Sequence, residues 1–106
     1  IRVLGKFSRD EGLITMQEAI RKLSGFPATN LSLKSRGFLR QGYFADIVIF
    51  DEKTVTDNAT FDTPLKFADG MEYVFVNGIP VIEKSTHTGA FPGRFIKGPG
   101  YKKTIK

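Results

Sequence analysis

The sequence predicts an α+β fold: two or three helices in its first third, followed by a small, mostly antiparallel β-sheet. Three observations carry this. Apolar residues recur at helical spacing only before about residue 33. Runs of β-branched and aromatic residues bounded by turn residues come only after it. The two patterns do not alternate, so a repeating β-α-β unit is not expected.

The first helix is expected over residues 2–11, where Val3, Leu4 and Phe7 fall at helical spacing and Gly12 supplies a stop. Its basic residues Arg2, Lys6 and Arg9 are expected on the wet side. The second helix spans residues 15–24. Thr15 and Glu18 form a capping box there, each side chain positioned to satisfy the other's exposed backbone N–H. Met16, Ala19, Ile20 and Leu23 share one face of that helix, and Gly25 and Pro27 end it. Pro27 equally suits the first turn of a short third helix running to about Leu31.

After Leu33 the pattern changes. Residues 34–37 read as a connection, Phe38-Leu39 as a short strand and Gln41-Gly42 as a turn. Residues 44–50 are apolar except for Asp46, and Ile47 to Phe50 reads as a strand buried on both faces. A run this short fits a helix by periodicity as well; β-branched content and flanking turns decide for a strand. Residues 51–70 read as a long loop or as helical turns around residues 55–59, anchored on a neighbour by Phe61, Leu65 and Phe67. Residues 72–83 form a hairpin, because Asn77-Gly78 tolerates the positive φ angles of a type I′ turn. Pro80 cannot donate to a ladder, so it faces outward or lies at an edge. From Gly89 to Gly100, repeated Gly and Pro argue against regular structure. Three or four strands leave exposed edges, and the apolar strand needs cover that this chain barely provides. That shortfall points to a missing partner segment.

Composition removes several chemistries. The chain has 106 residues, one ordinary domain's worth, with 41% apolar residues and a core expected to draw on ten Phe and three Tyr. It has no Cys, so disulfides and a Cys nucleophile are excluded, and the redox compartment is unreadable. His87 is the single His, so a zinc site of His and Cys cannot form within one copy. No apolar run approaches the ~18–20 residues that span a bilayer, and no signal peptide is visible, so no membrane partner is expected. A start at Ile1 is expected of a chain processed or cut from something longer. The net charge of +5 is uneven: +5 over residues 1–43, −5 over 44–93 and +5 over 94–106. The basic tail reads as a solvated terminus, and too few aromatics interleave with it for a nucleic-acid site.

Candidate chemistry is sparse. No pair of carboxylates is identifiable as an acid/base couple. Asp46 stands out because it interrupts an apolar strand. It is either a buried base or ligand, or a charge at the strand entrance accepting backbone hydrogen bonds from the preceding turn; the second is favoured. His87, between two Thr and before Gly89, reads as a surface residue. Lys97-Gly98-Pro99-Gly100 lacks the Gly-Lys-Ser/Thr ending of a phosphate loop. No catalytic, metal-ligating or cofactor-binding residue is therefore assigned.

Three segments carry a resemblance. Gly37-Phe38-Leu39-Arg40-Gln41-Gly42-Tyr43-Phe44-Ala45-Asp46-Ile47-Val48-Ile49-Phe50-Asp51 resembles a stretch near the end of amidohydrolase-superfamily enzymes. Val74-Phe75-Val76-Asn77-Gly78-Ile79-Pro80-Val81-Ile82 is similar to that superfamily's final hairpin. His87-Thr88-Gly89-Ala90-Phe91-Pro92-Gly93-Arg94, with Gly98-Pro99-Gly100, is similar to the tail of N-acyl-D-amino-acid deacylases, the D-aminoacylases. Arg2 to Phe7 and Glu18 to Leu23 fit the same family. The resemblance implies a larger parent with a metal-bearing TIM barrel and a small β-sandwich. It implies zinc-assisted hydrolysis of the amide of an N-acyl-D-amino acid, with the metal ligands upstream of this chain. Residues 1–33 would flank the barrel and residues 34–106 would be the carboxyl-terminal share of the sandwich. The partners implied are the barrel, the parent's amino-terminal strands and the small-molecule substrate, and the chain alone would be inactive. Independently of the resemblance, the exposed strand edges and apolar faces lead us to expect copies of the isolated chain to associate. The parent is expected in the cytoplasm. Alternatives are another amidohydrolase, of dihydroorotase or hydantoinase type, and a non-enzymatic binding module with a basic tail.

Overall fold

The computed structural model describes residues 1–102. The α+β order is borne out. Val3–Asp10 forms the first helix, wound in the wide π form, and Met16–Leu23 and Gly25–Asn30 form α1 and α2. The width of the first helix shows in its last turn, where the Glu11 N–H reaches back five residues to the Lys6 carbonyl at 2.9 Å. Its buried face is Leu4, Gly5 and Ser8, not the stripe of Val3, Leu4 and Phe7 expected from spacing. Gly5 is the reason. Without a side chain there, the helix comes against the backbone of Val55, where a Cβ would lie 2.5 Å from the carbonyl oxygen. Arg9 also departs from the expected wet side. Its guanidinium donates to the carbonyls of Glu52 at 3.3 Å, Lys53 at 3.2 Å and Val55.

α1 begins at the expected cap, with the Thr15 hydroxyl accepting the Glu18 N–H at 3.2 Å. The Glu18 carboxylate does not close the box. It turns to the Arg21 guanidinium at 2.6 and 2.8 Å, a pairing favoured by i,i+3 spacing. Gly25 opens α2 instead of ending α1, with Ser24 alone between the two helices. A Cβ on Gly25 would lie 2.9 Å from the Phe38 ring. Phe38 therefore packs against the helix pair, and the short strand expected at residues 38–39 does not form. The turn at residues 41–42 does, with Gly42 at φ 84.

The sheet comprises β1 (Ile47–Phe50), β2 (Met71–Val76), β3 (Ile79–Glu83) and β4 (Thr86–His87). Their order is β1-β2-β3-β4, and each neighbouring pair is antiparallel. Asn77 at φ 51 and Gly78 at φ 79 make the expected tight turn between β2 and β3. The register slips between Val74 and Phe75: Phe75 faces Pro80 and Val74 faces Ile82, so Val81 is the extra residue of a bulge next to the proline.

Residues 51–70 contain no helical turns at 55–59. A bridge between Thr56 and Asp69 folds the segment on itself. Phe61, Leu65 and Phe67 are 107%, 91% and 93% exposed, so the expected anchors are unanchored within this chain. The anchor is Val55, which is fully buried. It joins Leu4 and Ala19 in the core, with Val3, Ile14, Met16, Phe50 and Met71 packed around them. Helices and sheet thus meet at one loop residue.

The strand expected to be buried on both faces is open on both. Val48 and Ile49, which alternation places on opposite faces, are 48% and 47% exposed. The radius of gyration is 15.8 Å, against about 13 Å for a compact chain of this length. The accessible surface of 8410 Å² exceeds by about 2,500 Å² that of a folded monomer of this mass.

Candidate functional site

The most constrained polar cluster lies where the 35–46 connection, the hairpin turn and the carboxyl-terminal segment converge. Asp46 stands just before β1 and holds two groups. One carboxylate oxygen pairs with the Arg36 guanidinium, and the other accepts the Asn77 backbone N–H at 2.8 Å. Arg36 also donates to Asn77 Oδ1 at 2.9 Å and lies 4.0 Å above the centre of the Phe44 ring. Its side chain is 13% exposed. Asn77 Nδ2 then donates to the Pro92 carbonyl at 2.9 Å. Backbone bonds frame the cluster: Gly78 N–H to the Ala45 carbonyl at 3.0 Å, and Phe44 N–H to the Ser35 carbonyl at 2.9 Å.

This arrangement fits a clasp. Asp46 is balanced by a cation and a backbone donor, so its oxygens are committed to holding other segments. The structural reading of Asp46 stands, with one correction. Its backbone donor comes from the hairpin turn 31 residues later, not from the preceding turn. Arg36 and Asn77 were not singled out from sequence as partners of Asp46. No spacing rule relates positions 36, 46 and 77, and only the folding of the hairpin over the connection brings them together.

His87 is exposed on the β4 edge strand, and its Nδ1 accepts the Gly89 N–H at 2.9 Å. Its ring lies 6.1 Å from that of Phe91. Among the described residues, no group of three His, Cys, Asp or Glu side chains could hold a metal ion. The residues present therefore do not fit the zinc centre that the resemblance implies for the parent. Among the described residues no helix is long and apolar enough to cross a membrane. Lys103 and Lys106 of the basic tail lie outside the described residues.

A second feature is a groove of about 710 Å³ between the first helix and the 56–64 segment, lined by Arg2, Lys6, Asp10, Asp57 and Phe61 among others. Its charges are largely paired off. Arg2 sits 2.8 Å from Asp57 and donates to the Ala59 carbonyl at 3.0 Å. The Ala59 N–H, and then Arg2, hold the Asp57 carboxyl below the usual carboxylate range. Arg9 likewise lowers Asp10. The groove thus reads as a polar seam between helix and loop.

The molecule so described is three short helices joined to a four-stranded antiparallel sheet. Residues 2–82 match the sequence profile of the amidohydrolase family, and the chain belongs to that family. Within it, the chain is similar to D-aminoacylases. It is 45% identical over 95 residues to the D-aminoacylase of Alcaligenes xylosoxydans xylosoxydans, covering 90% of this chain and 20% of that protein. A crystal structure of D-aminoacylase superposes with a TM-score of 0.80 at 45% identity, covering 84% of this chain and 19% of that one. The N-acyl-D-glutamate deacylase of Bordetella bronchiseptica was solved with zinc and a phosphonate inhibitor that mimics the tetrahedral intermediate of its reaction. It superposes with a TM-score of 0.73 at 39% identity, covering 74% of this chain and 17% of that one. The chain spans about a fifth of the length of these relatives.

Proposed function

We propose that this chain is the carboxyl-terminal structural portion of a zinc-dependent amidohydrolase that hydrolyses the amide of N-acyl-D-amino acids, and that it is inactive alone. The observation that carries this reading is the state of β1. Among the described residues it is an edge strand with no partner on one side and apolar residues half exposed on both faces, an arrangement that calls for a strand and a packing layer from elsewhere. The excess surface of about 2,500 Å² is the scale of an obligate interface. Relatives about five times longer supply a body of the right size to cover it. In this reading residues 1–33 flank the parent's barrel, and the chain from residue 34 on contributes to the small β-sandwich. The metal ligands and the substrate pocket belong to the larger body. The clasp of Arg36, Asp46 and Asn77 keeps the hairpin, connection and tail in register beneath it.

The test is an assay of the purified chain with zinc and a panel of N-acyl-D-amino acids. No release of free D-amino acid is expected, and measurable turnover would overturn the reading.

A further inference from the structure

We propose that Asn77-Gly78 is a latent deamidation site, held closed by the clasp of Arg36, Asp46 and the Pro92 carbonyl. The sequence supplies the reactive pair. An Asn amide is lost when the backbone nitrogen of the next residue attacks its Cγ, and Gly hinders that attack least because it carries no side chain. In the reaction the Gly78 nitrogen gives its proton to solvent base and bonds to Asn77 Cγ. Nδ2 takes up a proton and leaves as ammonia. Water then opens the resulting cyclic imide at one or other carbonyl, which yields aspartate or isoaspartate. No oxidant, metal or enzyme is required.

The structure ties down the attacking nitrogen and pins the Asn77 side chain and backbone, so Cγ cannot swing onto the Gly78 nitrogen without local opening. The Gly78 N–H, whose proton must leave, donates to the Ala45 carbonyl at 3.0 Å. Asn77 Oδ1 is fixed by Arg36 at 2.9 Å, and Nδ2 by the Pro92 carbonyl at 2.9 Å. The Asn77 N–H is fixed by Asp46 at 2.8 Å. The turn is not protected by depth, since Gly78 is exposed to solvent. Protection therefore comes from the hydrogen bonds, and it depends on Arg36 and on the tail staying in place.

The product would also undo the clasp. An aspartate at position 77 has no Nδ2 donor and sets a carboxylate against the Pro92 carbonyl, so the tail is released. An isoaspartate adds a backbone carbon inside the tight turn and disturbs the β2–β3 register. The modification would thus act as an ageing mark that loosens the carboxyl-terminal segment.

The test uses the whole natural protein, with whatever flanks these residues, incubated at mildly alkaline pH. Peptide mass mapping follows conversion of Asn77 in the folded protein, in the protein unfolded by urea, and in an Arg36→Ala variant. Conversion in the folded protein is expected to be at least about tenfold slower than in urea, because the reactive geometry requires local opening. Arg36→Ala is expected to move the folded rate toward the unfolded one. Equal rates folded and unfolded would overturn the proposal, as would an unchanged rate in a variant that circular dichroism shows to be folded. If Arg36→Ala does not fold, Arg36→Lys decides. It keeps the charge but loses the planar fork that reaches Asp46 and Asn77 together, so an intermediate rate is expected and an unchanged one overturns the proposal.

Discussion

Gly5 shows how much a single missing side chain decides. A Cβ at that position would sit 2.5 Å from the Val55 carbonyl oxygen, which Arg9 also holds. Gly5→Ala gains about 1 kcal/mol of helix propensity. The clash with backbone costs about 1 to 3 kcal/mol, and the tethered loop has little room to yield, so the clash wins. A lower thermal midpoint is expected for Gly5→Ala, and a raised one would refute this account. The carboxylates carry a pH prediction. Asp57, Asp10 and Glu18 all have their pKa lowered by folding, through the Ala59 N–H, the Arg9 guanidinium and the Arg21 guanidinium respectively. A lowered folded pKa means that the unfolded chain binds protons more readily. The stabilisation is therefore complete above the ordinary carboxylate range, about pH 4, and is lost as pH falls through the lower folded values. Asp10 and Glu18 are open to solvent and Asp57 is partly exposed, so the effect is small and weakened by salt. An acid titration of the unfolding midpoint at low and high salt checks both parts. Asp46 teaches a different lesson. Its oddity inside an apolar run was legible, and so was its structural role. Its partners were not, because they lie 10 residues before it and 31 after it.

At the scale of elements, α1 and the β2–β3 hairpin were readable because local rules specify them. The Thr15 cap depends on a contact three residues away, and the Asn77-Gly78 turn on two φ angles. Thr15→Ala should cost about 1 kcal/mol, since it leaves the Glu18 N–H without its acceptor. A drop in helical ellipticity with an earlier unfolding transition is expected; an unaltered transition would show that the cap is dispensable. The first helix and the 51–70 loop were read less well. Spacing alone does not distinguish a π from an α winding over two turns, and the buried face turned toward Gly5 and Ser8 because a loop backbone, invisible in the sequence pattern, approaches there. In the loop, size and hydropathy point to Phe61, Leu65 and Phe67 as the anchors, yet all three are exposed. The small Val55 took that place, because the cleft between the first helix, α1 and the sheet admits one β-branched side chain at a backbone-to-backbone approach.

At the scale of the molecule, too little is buried for the amount of apolar surface present. Only Leu4, Ala19, Ala28 and Val55 form the buried apolar set among the described residues, while Ile20 and Leu23 on α1 and Phe61, Leu65 and Phe67 on the loop stay open. Patches of this kind bind something. In isolation, copies of the chain are expected to associate through them and through the free edge of β1. Light scattering across a concentration series should report species heavier than a monomer, and a clean monomer at high concentration would contradict the expectation. Adding the remainder of the proposed parent should suppress that association, because both would compete for the same surface.

The amino-acid sequence by itself determined the α+β order, α1, the hairpin and the structural character of Asp46. Each of these rests on contacts within a few residues or on a motif shared with the amidohydrolases. Only the tertiary structure decided that Val55 is the hinge of the core and that Arg36 joins Asp46 to Asn77. It also set how far the apolar strand stays open: the shortfall of cover is legible in the sequence, and the structure leaves Val48 and Ile49 about half exposed. These depend on segments distant in the chain meeting in space, and in the last case on how little apolar cover the rest of this chain brings to β1.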